Sequence, residues 1–346
     1  MKCVFALKNK RAKMSSSGGA FPTIVNAYRE MCNSKVLVFG AAFSERFDVE
    51  HICVSNQNGL NKLYESKYVR SNLNNAYVKV ANALLDSMSV IFVGTPCQVH
   101  GLTQYLSKNK IDVSKLITID LICHGTPPKK LWNDYLKYIQ KNKKISMVSF
   151  RHRSNVSKCD GAPYIKYVDG THKYYPAEIM HYMRLFSLNL SLEKCCFSCQ
   201  HRNLQLNRPG DITIGDFWGV NEVVKDFRGY KNVSLVMANT RKGLSVVLNI
   251  HKHSFETGII MKKIKNDKYL VFNSHLYKQT IMPKGYDAFW DDYNTLNFEQ
   301  FYAKHSHISK KQSIKRRLSH FADKLHIKWK LKYWKYRLNR LFNRNE

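Results

Sequence analysis

Two apolar runs that each stop at a cysteine limit what this chain can fold into more than any other feature. In SVIFVGTPCQVHGL, Ser89 to Leu102, Val, Ile and Phe follow one another without polar alternation, then Gly-Thr-Pro breaks the run and delivers Cys97. ITIDLICHGTPP, Ile117 to Pro128, repeats the construction and ends in Cys123, followed at once by His124 and Gly125. A short continuous apolar run bounded by turn residues reads as a strand buried on both faces. Such strands belong to a largely parallel sheet covered by helices, in which ligands collect beyond the carboxyl ends of the strands. Cys97 and Cys123 are therefore expected side by side.

The flanking segments alternate in the same sense. KCVFALK opens as a strand; Phe21, Ile24, Val25, Tyr28 and Met31 recur at helical spacing; VLVFGAAF and EHICVSN form a strand pair. Ala76–Leu85, Gln98–Leu106, Leu131–Ile139 and Ile179–Leu190 read as helices, and Ile212–Gly215 and Val233–Ala238 as strands. ISMVSFR, PYIKYV and HKYYP read as antiparallel strands, the last two joined by an Asp169-Gly170 turn. The fold class expected is α/β, a mixed sheet with βαβ units and flanking helices. Residues 1–285 are expected to form the catalytic domain and residues 286–346 a basic helical extension.

At 346 residues and 44% hydrophobic content the chain can bury a substantial core, which excludes a disordered polypeptide. It shows neither a signal-peptide pattern nor an apolar stretch long enough to span a bilayer, so a cytoplasmic location is expected. Nine cysteines without an export signal point to metal binding or redox chemistry rather than a disulfide framework. The net charge of +31 calls for an anionic partner, and +11 of it lies in Lys310–Glu346. There Ile314, Leu318, Phe321 and Leu325 recur on one helical face among Lys and Arg, so this tail is expected on the surface of an anionic membrane.

KCCFSCQHR adds Cys196 and Cys199 in CxxC spacing. Four thiolates from three elements suit a [4Fe–4S] cluster or tetrahedral zinc. Structural zinc sites usually use two short-spaced pairs, whereas Cys97 and Cys123 are single residues at strand ends, which favours the cluster. Cys3, Cys32, Cys53 and Cys159 read as packing residues; Cys195 could replace Cys196 only by breaking the CxxC spacing. The run SSSGGAF, Ser15 to Phe21, enters a helix and suits either a bound phosphate or an ordinary capped loop.

GTPCQVHGL, DLICHGTPP, the CxxC and NRPGDITIGDFWG, with MSSSGGAF, VFGAAF and SKYVRS upstream, resemble the beta subunit of coenzyme F420-reducing hydrogenase and its relatives over roughly Lys2 to Leu248. The resemblance implies an oxidoreductase that carries FAD and a [4Fe–4S] cluster and passes electrons between a one-electron carrier and an organic substrate or deazaflavin-like cofactor. It maps the cluster onto Cys97, Cys123, Cys196 and Cys199. Candidate cofactor-binding residues are Ser16, Ser17, Gly18 and Gly19 of the serine loop, Lys67 and Tyr68 of SKYVRS, Thr95 of GTPC, and Asp216 and Trp218 of DFWG. No residue stands out as a general acid or base.

Relatives of this shape occur in bacteria that do not make F420, often beside genes for surface polysaccharide synthesis, so the resemblance implies the chemistry and leaves the acceptor open. Many relatives begin with a ferredoxin-like segment, and only Cys3 precedes residue 30 here, so electrons are expected to pass by way of an acidic carrier such as ferredoxin. The competing reading is a zinc-stabilised, non-catalytic nucleic-acid-binding or scaffold protein. No groove-reading module accompanies the charge, which makes nucleic acid the weaker partner.

Overall fold

The computed structural model describes residues 2–12, 14–154, 159–203, 205, 207–252 and 258–306. The expected membrane-surface tail lies outside them.

An eight-stranded mixed sheet forms the body, in the order β11-β1-β10-β9-β5-β4-β2-β3. Its strands are β1 (Cys3–Asn9), β2 (Val36–Phe43), β3 (Val49–Val54), β4 (Ser89–Gly94), β5 (Leu116–Leu121), β9 (Ile212–Asp216), β10 (Ser234–Ala238) and β11 (Ile259–Ile264). The helices are α1 (Ala20–Cys32), α2 (Gln57–Leu63), α3 (Ala76–Leu85), α4 (Pro96–Lys108), α5 (Lys129–Ile139), α6 (Ala177–Ser187), α7 (Val220–Val223), α8 (Arg241–Lys252), α9 (Lys268–Phe272), α10 (Tyr286–Thr295) and α11 (Phe298–Ser306). A separate three-stranded antiparallel sheet holds β6 (Ile145–His152), β7 (Ala162–Tyr167) and β8 (His172–Tyr174). The expected α/β class and mixed sheet are both present.

Alternation along the strands divides the core. In β4, Ile91 packs toward α1 and α8, where Ile24, Val25, Val246 and Val247 are buried. Val90 and Phe92 point the other way, toward Val80 of α3 and Val99, Leu102 and Leu106 of α4. Full burial of each such side chain contributes about 1.5–3 kcal/mol. The second sheet closes on an aromatic cluster of Trp132, Tyr135, Phe150 and Tyr182. Phe289 and Phe301 belong to that cluster, so residues 286–306, expected in the extension, are helical and pack into the body.

The strands β2, β4, β5 and β9 are mutually parallel, and their carboxyl ends lie along one edge. Two antiparallel steps bring the end of β1 to the same edge, with Leu7 opposite Ser234 and Ser234 opposite Asp216. The loops after β1, β4, β5 and β9 therefore meet. A fully buried ion pair pins this edge from below: Arg208 donates to Asp120 Oδ1 through Nη2 at 2.5 Å, and Asp120 Oδ2 accepts from the Gly210 N–H at 2.9 Å. The NRPGD stretch is in this way fastened under β5. Among the described residues no helix is long and apolar enough to cross a membrane.

Candidate functional site

Beyond that edge opens a cavity of about 930 Å³, toward the upper end of the ~300–1,000 Å³ usual for small-molecule sites. Ser16, Ser17, Lys67, Tyr68, Thr95, Asp216 and Trp218 all line it, as do Cys97 and Cys123. Gly18 and Gly19 are not on its wall. A side chain at Gly18 would collide with the Leu7 carbonyl and the Ser234 amide, and Gly19 holds a φ of 86° at the start of α1. Their smallness lets the serine loop fold back on β1 and β10.

Several features of the wall suit an anionic, polar ligand. Ser16 Oγ is buried, with no hydrogen-bond partner among the described residues. Three of the cavity's cations are neutralised: Arg151 by Asp216 at 2.8 Å, Lys129 by Asp48 at 3.4 Å and Arg70 by Glu193 at 3.5 Å. Lys67 instead donates to the carbonyls of Lys62 and Tyr64, at 3.0 and 2.5 Å, and no carboxylate forms an ion pair with it among the described residues. Burial pushes its ammonium down to about 7, partly opposed by Glu65. Tyr68 stands against Phe186 and Phe150, with ring centroids 5.0 and 5.6 Å away and planes inclined at 42° and 75°, so that Tyr68 and Phe186 line the cavity and the buried Phe150 backs Tyr68 edge-on. Trp218 is 56% exposed, held at the rim rather than in the core.

A hydrogen-bond chain runs under the cavity to Cys97. His51 Nε2 donates to the Val93 carbonyl at 3.0 Å, leaving Nδ1 to accept from Ser71 Oγ at 3.0 Å. Ser71 Oγ accepts from Gln98 Nε2 at 2.9 Å, and Gln98 Oε1 accepts from both the amide and the hydroxyl of Thr95, at 3.0 and 3.1 Å. Thr95 caps α4, Pro96 opens it, and Cys97 follows in its first turn. Burial holds His51 down at about 4, so the imidazole is neutral and acts as a fixed spacer.

Cys123, unlike Cys97, does not sit at a helix start. The helix after β5 begins only at Lys129, and the Cys123 sulfur instead accepts from the Gly125 amide at 3.3 Å. Burial pushes this thiol up to about 11, against the opposing influence of the Gly125 amide and Arg202; the charges of Cys196 and Cys97 also raise it. Burial likewise raises Cys196. The CxxC lies on a 3-10 turn, Lys194–Ser198, with the Cys196 Cβ 3.3 Å from where a Gly125 side chain would begin. Arg202 ties the two segments together, donating through Nη2 to the Cys123 carbonyl at 2.8 Å and through its amide to the Cys199 carbonyl at 3.2 Å. Cys195 is exposed and accepts from Arg70 Nη2 at 3.5 Å. Among the described residues no three His, Cys, Asp or Glu converge as ligands of a single ion.

Residues 87–263 match the family model for the C terminus of the coenzyme F420 hydrogenase/dehydrogenase beta subunit. The chain belongs to this family. Membership makes it a hydrogenase- and dehydrogenase-related oxidoreductase subunit, and the matched span contains all four candidate ligand cysteines. Among solved structures the chain is similar to one from the F420-reducing [NiFe] hydrogenase complex of Methanosarcina barkeri, at 14% identity, covering 79% of this chain and 86% of that chain with a TM-score of 0.49. No curated protein matches it.

In this family member sequence reasoning missed Arg151, His51, Gln98 and Glu65. Arg151 reaches the cavity from the second sheet, and nothing in ISMVSFR marks it. Glu65 carries a φ of 64° and accepts from Ser149 Oγ at 2.5 Å, stapling the SKYVRS wall to that sheet. A non-glycine residue in the left-handed region is costly and persists where its surroundings hold it. The Gln98 signal was legible as a Thr-x-x-Gln capping box.

Proposed function

We propose that this chain is an iron–sulfur flavoprotein oxidoreductase that passes electrons between a one-electron protein carrier and an organic substrate or deazaflavin-like cofactor, in the setting of surface polysaccharide synthesis that the resemblance suggests. One observation carries the reading: Cys97 and Cys123 line the same cavity as the buried Ser16 hydroxyl and the Lys67 ammonium. FAD would be held in the cavity by Ser16, Ser17, Lys67 and Tyr68, with Asp216 on the lining near the serine loop and Trp218 at the rim. The cluster would be held by Cys97, Cys123, Cys196 and Cys199.

The chemistry of the donor set supports this reading. Sulfurs around one zinc ion must all lie about 2.3 Å from a single point, whereas a cuboidal cluster takes each thiolate on a different iron and so accepts a wider set. Buried thiols such as Cys123 resist ionisation alone, and a coordinating metal deprotonates them outright. When bound, a flavin would exchange electrons in pairs with an organic partner and singly with a cluster, which would couple the two kinds of partner. The protein's own contribution is placement: Tyr68 and Phe186 give the cavity an aromatic side, Lys67 supplies a positive charge, and the His51–Ser71–Gln98–Thr95 chain fixes Cys97.

The test is a spectrum of anaerobically purified full-length protein. Broad visible absorption that bleaches with dithionite, together with flavin released on denaturation, is expected. A colourless protein that contains zinc would end the redox reading.

A further inference from the structure

Over the outer side of the cysteine segments run residues 278–284, held in an unusual way. Gln279 Nε2 donates to the Cys199 carbonyl at 2.7 Å, and Thr280 Oγ1 donates to the His124 carbonyl at 3.2 Å. Arg202, which already grips the Cys123 carbonyl, also donates to Thr280 Oγ1. Asn189, just beyond α6, donates to the Ile281 carbonyl at 3.2 Å. The backbone is thus fastened on both flanks, yet the side chain it presents is apolar and out in water: Ile281 is 81% exposed, with Met282 at 37% and Leu188 at 41% beside the same anchor. Single exposed apolar residues need no explanation, but two on one fastened turn, with a third next to the Asn189 that anchors it, mark an interaction surface.

The charge around them is mainly positive, with Asp287 at the start of α10 as the exposed exception. Lys278, Lys284 and Lys194 are exposed on the segments that build this face. The nearby carboxylate of Glu193 is turned to Arg70. An apolar centre with a charged rim is the build of a specific but transient protein interface.

We infer that Ile281, Met282 and Leu188, ringed by Lys278, Lys284 and Lys194, form the docking face for an acidic one-electron carrier protein. This rests on the iron–sulfur reading above and adds to it where electrons cross the surface. The fit is physical: the turn's hydrogen bonds end on the carbonyls of Cys199 and His124, so a partner seated on Ile281 is separated from the cysteine segments by a single layer of backbone. Lysines around it steer an acidic partner into register before the apolar contact forms.

The test uses full-length, cofactor-loaded protein reduced either by an acidic ferredoxin or by the small dye radical methyl viologen, with bleaching of the cluster followed in a stopped flow. Ile281→Asp and the double variant Lys278→Glu/Lys284→Glu are each expected to slow the ferredoxin reaction at least tenfold at low salt and to leave the dye reaction within twofold of the parent. Lys79→Glu/Lys108→Glu, on α3 and α4, should change neither. Unchanged ferredoxin rates in Ile281→Asp, or equal slowing by the α3 and α4 pair, would overturn the assignment. So would loss of a dimer by sedimentation in Ile281→Asp with the ferredoxin rate intact, which would make the patch a contact between copies. Absence of any dithionite-bleachable absorption in the parent would instead sink the iron–sulfur reading itself.

Discussion

The Thr95 hydroxyl lies 3.1 Å from the Cys97 sulfur, and the remainder of the hydrogen-bond chain decides which of the two donates. Gln98 cannot be turned round, because its amide nitrogen faces the Ser71 hydroxyl and carbonyl while its oxygen receives the Thr95 amide. Thr95 therefore has one proton for two acceptors, Gln98 Oε1 and Cys97. With Cys97 as a thiol, the sulfur donates to Thr95 and the hydroxyl serves Gln98. With Cys97 as a metal-bound thiolate, the hydroxyl turns to the sulfur, and Gln98 keeps the Thr95 amide.

Thr95→Val should consequently retain iron and lower the midpoint potential of the cluster. Hydrogen bonds to ligating sulfurs favour the more negative, reduced state, and one to a charged acceptor is worth about 1.5–3 kcal/mol in total. Only the part that differs between oxidation states registers, so a fall on the order of tens of mV is expected in a redox titration followed by electron paramagnetic resonance. Thr95→Ser should restore the parent value. An unchanged potential in the valine variant would remove Thr95 from this role.

Serine at Cys97, Cys123, Cys196 or Cys199 should each remove most of the iron, because a hydroxyl replaces a thiolate ligand poorly. Cys53, on the edge strand β3, and Cys159, in the turn before β7, should tolerate serine with iron unchanged. Cys195→Ser should behave like them, since its sulfur is engaged by Arg70 on the outer side. Colorimetric iron measured on all seven variants decides this. Equal losses throughout would mean that folding, not ligation, is being read.

What the sequence made legible follows from how local each signal is. The β4 and β5 strands announce themselves because both faces are buried and no polar residue interrupts Val90 to Val93. The cysteines followed, since a strand end fixes where the next side chain must lie. Cys123 escaped the same logic: its Pro-Pro pair starts α5 six residues on, and a backbone amide took the place of the helix start. Gly18 and Gly19 signalled an unusual backbone correctly, but the close neighbour is the protein itself. Arg151 and His51 were illegible because each joins the cavity through a tertiary contact, Arg151 with Asp216 and His51 with Ser71, that no spacing encodes. The helices α10 and α11 were read as extension because charge dominates that end of the chain, while Phe289 and Phe301 decide their packing.

Breaking the Asp120–Arg208 pair should be strongly destabilising. Both side chains are out of solvent, at 0% and 1% exposure, so removing one partner strands a charge. Arg208→Met is expected to lose about 3–5 kcal/mol in urea unfolding. Adding Asp120→Leu should recover part of that loss, because it removes the stranded carboxylate. A single variant within 1 kcal/mol of the parent, on the ~1 kcal/mol scale of an ordinary substitution, would show that water reaches the site.

Lys67 should make the binding of an anionic cofactor depend on pH. In the free protein its pKa is held down near 7 by burial, and a phosphate beside it would raise that value. Binding is then accompanied by proton uptake, with the sign fixed: below pH 7 the ammonium is already charged and affinity is greatest. As pH rises through 7 toward the bound value, a proton must be gained on binding and affinity falls, approaching about tenfold per pH unit for one linked proton. FAD affinity of the flavin-depleted protein, measured by fluorescence quenching from pH 6 to 9, should show this slope. Lys67→Met should weaken binding at pH 6 and flatten the profile. If the methionine variant keeps the parent's slope, the linked proton belongs to another group and Lys67 does not meet the anion.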